Sequence, residues 1–250
     1  MELSVVGFNI RSCNDPEGSS IPERAPRLAK VLKDYDADVI CLQEFTPKWE
    51  SFMDLLTRGE YAYLHKYRNE TVDIEGSPIL WKKEKFQCLK TGWFWLSDTP
   101  EVESRGWDAL YNCYRMCLYA VLQEKATGKV FTVMNTHFGF GDEGQVASAE
   151  LITKYAQTVA EGPVVLLGDF NMTPSTPGYG KITEYFTDVN MATAKDENIT
   201  FHAYNKRQGY LIDFCFVDST VTPLGCKRIT DLVDGKFPSD HYGIYANLEL

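Results

Sequence analysis

Val164-Val165-Leu166-Leu167-Gly168-Asp169-Phe170-Asn171 is the stretch whose reading decides the fold. Opened by Gly162-Pro163, this apolar run of Val and Leu reads as a buried central strand. It stops at a carboxylate and a carboxamide two positions apart. Side chains at i and i+2 of an extended segment point the same way, so Asp169 and Asn171 can address one ligand together. Gly168 lets another group approach the backbone, and Thr173-Pro174-Ser175 then turns the chain away. A strand followed by a capped turn accounts for this stretch taken alone. Several other strands of the chain end the same way.

Upstream, Leu3 to Asn9 alternates like a strand, and Pro22 and Pro26 suit a helix start. Leu28, Val31, Leu32 and Tyr35 then follow at helical spacing, and Val39-Ile40-Cys41-Leu42 is a second buried strand that ends in Gln43-Glu44. The pattern predicts a helix around Trp49 to Leu56, strand-like chain from Tyr61 to Leu96, and a long loop from Ser97 to Tyr111. Arg115 to Leu122 and Val130 to His137 form a predicted hairpin across Ala126-Thr127-Gly128. A glycine-rich loop precedes a helix over 145–160; after the opening strand come a helix near Gly180 to Phe186 and strands near 211–217, 221–229 and 242–250. Strand, helix and strand-with-acid occur from Leu3 to Glu44 and again from Val130 to Asp169. Strands pooled from both halves predict two mixed sheets packed face to face with helices outside, an α/β sandwich of four layers (αββα). No linker divides the chain, so residues 1–250 are expected to form one domain.

The 250 residues are 44% hydrophobic and 24% charged, with a formal net charge of −10. Such an acidic chain argues against indiscriminate binding to a nucleic-acid backbone, which calls for a basic footprint. No apolar run reaches the roughly 18–20 residues that span a bilayer, and no secretory signal opens the sequence, so the expected location is the cytoplasm. The 7 cysteines lack a C-x-x-C pair and read as free thiols.

The polar residues that terminate apolar strands are Asn9, Glu44, His137, Asp169 with Asn171, Asp213, and Asp240-His241. An unpaired carboxylate beside a core is costly and normally has a partner or a cation. Gathered on one rim, these residues describe a cleft that holds a metal, and their oxygen-rich chemistry suits Mg2+ or Mn2+ better than a structural zinc. In-line attack of water on phosphorus needs a metal, a water-activating carboxylate and donors for developing charge.

In this order, Leu42-Gln43-Glu44, Asn135-Thr136-His137, Gly168-Asp169-Phe170-Asn171, Ile212-Asp213-Phe214 and Ser239-Asp240-His241 resemble the endonuclease/exonuclease/phosphatase superfamily, with its deoxyribonuclease-I-like fold. The resemblance covers Val5 to Leu250 and implies a metal-dependent phosphoesterase that works without a covalent intermediate. It implies Glu44, Asn9 and Asp240 at the metal, Asp169 as the base for water, and Asn171, His137 and His241 at the phosphate, with Asp213 holding His241. Arg115 resembles a phosphate-facing position, and Trp107, in the polar loop, is the tryptophan expected to meet substrate. The expected partner is a phosphate-ester substrate, foremost a phosphodiester of nucleotide or nucleic-acid type, taken by a monomer. A phospholipid (sphingomyelinase-like) or sugar-phosphate substrate is the alternative, and a non-catalytic binding protein on the same fold is the alternative of another class. An acidic residue and an arginine common in the most similar bacterial branch are replaced here by Gly139 and, approximately, Gln145. His65 and His202 lie outside every motif and read as ordinary partly buried histidines.

Overall fold

Two six-stranded mixed sheets, each with one parallel pair, carry the molecule. The computed structural model describes residues 1–250. The chain runs β1 (Glu2–Asn9), α1 (Ile21–Tyr35), β2 (Val39–Gln43), α2 (Pro47–Glu50), α3 (Met53–Thr57), β3 (Tyr61–Leu64), β4 (Ile79–Lys82), β5 (Phe86–Trp95), β6 (Met116–Glu124) and β7 (Val130–His137). It continues through α4 (Asp142–Val159), β8 (Val164–Asp169), α5 (Pro177–Ile182), β9 (Thr187–Asp188), α6 (Val189–Ala192), β10 (Asp213–Val217), β11 (Thr222–Ile229) and β12 (Gly243–Glu249). One sheet has the order β11-β12-β1-β2-β4-β3 and the other β5-β6-β7-β8-β10-β9.

The parallel pairs are β1 with β2 and β7 with β8. Parallel neighbours need a crossover, supplied by α1 in one sheet and α4 in the other, so the echo between the halves is a repeated βαβ unit. Alternation along the strands fixes what each face meets. In β8, Val165 and Leu167 enter the core between the sheets, while Val164 and Leu166 face α4 and α5. In β1, Leu3 and Val5 face the other sheet, and Val6 and Phe8 pack under α1. These three apolar layers separate four layers of backbone, α/β/β/α, as the pattern predicts.

Local chemistry explains most of the boundaries. Ser20 and Glu23 form a capping box at the start of α1, and Asp36 ends it in a left-handed conformation (φ 45°). Pro26 lies inside α1 rather than at its start. The helix expected around Trp49 to Leu56 is two short helices that break at Phe52. α4 begins at Asp142, inside the stretch expected as a glycine-rich loop, because two acidic residues in its first turn suit a helix N-terminus. α5 spans Pro177–Ile182 rather than Gly180 to Phe186, as Pro177 sets the start.

Register then brings the polar strand ends together. His137 lies opposite Asp169 across β7 and β8, and Asp213 lies opposite Asp169 across β10 and β8. Three strands therefore deliver three titratable side chains abreast. Asn9 and Gln43 end β1 and β2 side by side in the facing sheet. Beneath this rim Gln43 Nε2 donates to Asn135 Oδ1 at 2.8 Å, and Asn135 Nδ2 donates to Leu42 O at 2.8 Å, so a buried amide pair bolts one sheet to the other.

Candidate active site

His137 and Asp169 of the row His137–Asp169–Asp213 line a cleft of about 960 Å³ together with Glu44, Asn171, Asp240 and His241, and Asp213 and Asn9 stand behind them. Glu44 follows β2 in a left-handed conformation (φ 59°), which carries its carboxylate off the strand. Its oxygens accept from Asn9 Nδ2 at 3.1 Å and from the Ser12 N–H and hydroxyl at 2.7 and 2.8 Å. Burial opposes its charge. Because His137 is neutral, the Ser12 donors and His241 are what hold Glu44 below the ordinary carboxylate range.

Asp169 is the centre of the arrangement. Its Oδ2 accepts from Asn9 Nδ2 at 2.9 Å and lies 3.6 Å from His137 Nε2 and 3.8 Å from His241 Nε2. Its Oδ1 accepts the Asn171 N–H at 3.0 Å, which fixes the left-handed turn at Asn171 (φ 49°). Burial, then the neighbouring Asp213 carboxylate, push Asp169 up to about 7 against the pull of His241 and its hydrogen bonds.

His241 stands the opposite way. Its Nδ1–H donates to Asp213 Oδ2 at 2.9 Å. Burial disfavours the imidazolium, but Asp213, then Asp169 and Asp240, outweigh it and push His241 up to about 10. The ring is thus a cation at neutral pH, with its Nε2–H free of a hydrogen bond to Asp169. Ser239 donates its hydroxyl to Asn9 O at 2.6 Å, so the Ser239-Asp240-His241 turn is tied to the end of β1. Asp240 is raised, first by burial and then by Glu44, with His241 and Arg11 opposing.

His137 is kept neutral by burial first and by the Arg115 charge next. Asn171 Nδ2 donates to Phe138 O at 3.0 Å and lies 3.1 Å from His137 Nε2. Gln145 Nε2, from α4, donates to Gly139 O at 3.1 Å and Asn171 O at 2.8 Å, which laces the exits of β7 and β8 together.

Most residues expected at the site therefore meet in one cleft, Arg115 among them, while Trp107 lies outside it. Arg115 lines the cleft, but its Nε and Nη2 both donate to Asp108 Oδ2, at 3.1 and 3.0 Å, so it anchors the 106–115 loop. Asp108 is free to hold that loop because its Oδ1 accepts from the Leu110 and Tyr111 N–H groups. Trp107 does not line the cleft. Its backbone and Cβ lie against Gly139 and Gly144, where a Cβ would clash, and its ring packs on the α4 layer. The neighbouring Tyr111, 63% exposed and edge-to-face with Phe140 at 5.5 Å, lines the cleft instead.

Sequence reasoning missed Ser12, Arg68, Glu75, Phe140 and Arg207, all at the cleft. Ser12 was within reach of the strand-end argument, three residues beyond Asn9. The others sit in loops of no recognisable spacing.

The acidic floor can hold a cation. Glu44, Asp169 and Asp240 meet at the floor beside Asp213, whose Oδ1 is buried with no partner. Carboxylate and carboxamide oxygens of this kind fit a hard divalent ion. Asp169, Asp213 and His241 also present ligand atoms within 4.8 Å of one another. No helix is long and apolar enough to cross a membrane.

The sequence profile of the Endonuclease/Exonuclease/phosphatase family matches residues 6–241. Among solved structures, an endonuclease/exonuclease/phosphatase from Bacteroides vulgatus is 30% identical with a TM-score of 0.90, and covers 100% of this chain and 99% of its own. The mannosyl-6-phosphatase Bt3783 of Bacteroides thetaiotaomicron is 27% identical with a TM-score of 0.89, over 99% of this chain and 100% of its own. Protein angel homolog 2 of Bos taurus is 28% identical over 210 residues, 73% of this chain and 37% of that protein. The chain thus spans well under two thirds of the first curated relatives it matches, 37% of one and 58% of another.

Proposed function

Because the chain belongs to the endonuclease/exonuclease/phosphatase family, we propose that it hydrolyses phosphate esters by direct attack of water, with Asp169 as the general base. The observation that carries this reading is the geometry of the cleft floor: the buried Asp169 carboxylate stands between His137 and Asp213 with its Oδ2 3.8 Å from His241 Nε2, and Asp213 holds the His241 ring at 2.9 Å. Burial raises Asp169, while Asp213 raises His241 against its burial. A base near neutrality both holds the right protonation state and accepts a proton readily. A cation 3.8 Å away is suited to receive the charge that develops on a phosphoryl oxygen.

Glu44, Asn9 and Asp240 would hold Mg2+ or Mn2+, which when bound polarises the phosphoryl oxygen and stabilises the leaving oxygen. The Asp169–Asp213–His241 group is the poorer choice, because a protonated imidazole has no lone pair for a metal. Asp169 takes the proton from water, and Asn9 and the Asn171 N–H hold its carboxylate in place. His241 donates Nε2–H to the phosphate while Asp213 holds its ring. Asn171 Nδ2 exchanges its contact with His137 Nε2, 3.1 Å away, for a phosphate oxygen, and His137 donates to another in the tautomer that carries its hydrogen on Nε2.

A phosphodiester of nucleotide type and a sugar phosphate are both compatible with this floor. The full-length likeness to a mannosyl-6-phosphatase supports the second at least as well as the first. The test is turnover of bis-p-nitrophenyl phosphate, p-nitrophenyl phosphate, oligonucleotides and mannose 6-phosphate with Mn2+ or Mg2+. Cation-dependent hydrolysis lost in Asp169→Asn is the expected result. No hydrolysis of any substrate would favour a binding protein on this fold.

A further inference from the structure

Four arginines line the cleft: Arg11, Arg68, Arg115 and Arg207. Three are neutralised by the protein itself. Arg11 pairs with Asp15 at 3.0 Å and Asp240 at 3.6 Å. Arg68 pairs with Asp73 and Glu75, and Arg115 pairs with Asp108. Arg207 has no carboxylate partner and no hydrogen bond. Its guanidinium instead lies over the Phe201 ring, 5.0 Å from the centroid. Phe201 in turn packs on His241, ring centroids 4.9 Å apart, so the one uncompensated guanidinium of the cleft sits two ring contacts from the imidazolium. In a chain of net charge −10, a free cation at the cleft wall is the exception.

The backbone holds this loop at a cost. Ala203, Tyr204 and Asn205 are all left-handed, with φ of 48°, 54° and 61°. Such conformations are unfavourable for alanine and tyrosine and persist only where the surroundings impose them. Here the His202 and Ala203 N–H groups both donate to Asp240 O, at 2.9 and 3.0 Å, and His202 Nδ1 accepts the Tyr204 N–H at 3.2 Å. Phe201 and Tyr210 exchange both backbone hydrogen bonds at the base of the loop. The turn is thus fastened to the same residue pair, Asp240-His241, that forms the floor, and it presents Arg207 with Gln208 and Tyr210 to the cleft. A guanidinium laid on an aromatic face keeps its edge donors available for an anion.

We propose that Arg207 is a specificity-determining residue that reads a second anionic group on the substrate, carried by the alcohol part of the scissile phosphate ester. This rests on the phosphoesterase reading above. The shared chemistry is a phosphate ester with another phosphate nearby, whether a nucleotide chain end or a sugar bisphosphate.

The experiment compares kcat/KM within matched pairs that differ only in the second anion: TpT against pTpT, and mannose 6-phosphate against mannose 1,6-bisphosphate. The wild-type protein is assayed with Mn2+ alongside Arg207→Ala and Arg207→Lys. In at least one pair the wild type prefers the doubly anionic member by about tenfold or more, as expected for a hydrogen bond to a charged group. The pair that shows the preference identifies the source. Arg207→Ala removes most of that preference, Arg207→Lys keeps part of it, and raising the salt concentration shrinks it in the wild type. Equal kcat/KM within both pairs, or a preference that survives Arg207→Ala, would overturn the proposal. Hydrolysis of bis-p-nitrophenyl phosphate, measured in parallel, tests the phosphoesterase reading separately, since its loss in the wild type would remove the chemistry and not the selectivity.

Discussion

At the scale of single residues, the site depends on two side chains held in opposite protonation tendencies by their neighbours. Asp169, the proposed base, accepts through both oxygens, Oδ1 from Asn171 N–H and Oδ2 from Asn9 Nδ2, so an asparagine in its place keeps one of these hydrogen bonds and loses the base. Asp169→Asn should therefore lower kcat by about 10²–10⁴-fold, the usual worth of general base catalysis, with an unchanged circular dichroism spectrum. Near-native turnover would remove Asp169 from its role. His241 makes a separate claim through stability. Its proton is held more tightly in the folded state, up to about 10, than in an unfolded chain, where it leaves near 6.5. The stabilisation is complete below about pH 6.5 and is lost as pH rises toward 10. Asp169 is also raised, to about 7, so it contributes a falling slope of its own at lower pH. Between about pH 7 and 7.5, below the range around 8.5 where thiols titrate in an unfolded chain, the fall in melting temperature in EDTA belongs chiefly to His241. Asp213→Asn should flatten that slope, and an unaltered slope would mean that Asp213 does not hold the proton.

At the scale of elements, α4 does more than cross from β7 to β8. Gln145 in its first turn is buried and spends both hydrogens of its amide on Gly139 O and Asn171 O. Gln145→Ala leaves one buried and one partly buried carbonyl without this donor, at a cost of about 1–3 kcal/mol, and frees the turn that positions Asn171. We expect kcat to fall about tenfold with KM within about twofold, and Gln145→Glu, which sets a carboxylate against two carbonyls, to be worse. An unchanged kcat with only a lower melting temperature would make Gln145 structural. How much of this was legible in the sequence follows from the physics of each element. Val164–Leu167 and Val39–Leu42 announce buried strands because the apolar run stops abruptly at Asp169 and at Glu44, and register then has to bring their ends to one rim. Trp107 and Arg115 could not be placed the same way. Both lie in a loop whose path is set by contact with Gly139 and Gly144, a long-range fit that no local spacing records. Arg207 is silent for the same reason, since what marks it is the absence of a carboxylate brought from elsewhere in the chain.

At the scale of the molecule, the cleft is the place where the polar strand ends of the two sheets meet. Glu44 and Asn9 come from one sheet and Asp169, Asp213 and His137 from the other, above the Gln43–Asn135 bolt. A cation taken by Glu44, Asn9 and Asp240 has all three ligands at the ends of β1, β2 and β12 of one sheet, so its binding adds to the free energy that holds those strand ends together. At a concentration 100 times its dissociation constant, a ligand that binds only the folded chain stabilises it by about 2.7 kcal/mol. For a chain of this length that is a rise in melting temperature of about 5–10 °C. Mg2+ or Mn2+ added to the EDTA-treated protein should give a rise of that order, measured by scanning fluorimetry at constant ionic strength so that screening of the acidic surface does not contribute. Glu44→Ala should remove most of the shift, while Arg207→Ala, whose guanidinium touches neither Glu44 nor Asp240, should keep it. A shift retained in Glu44→Ala would move the cation to the other carboxylate group of the floor, Asp169 with Asp213, and would require His241 to give up its proton to make room.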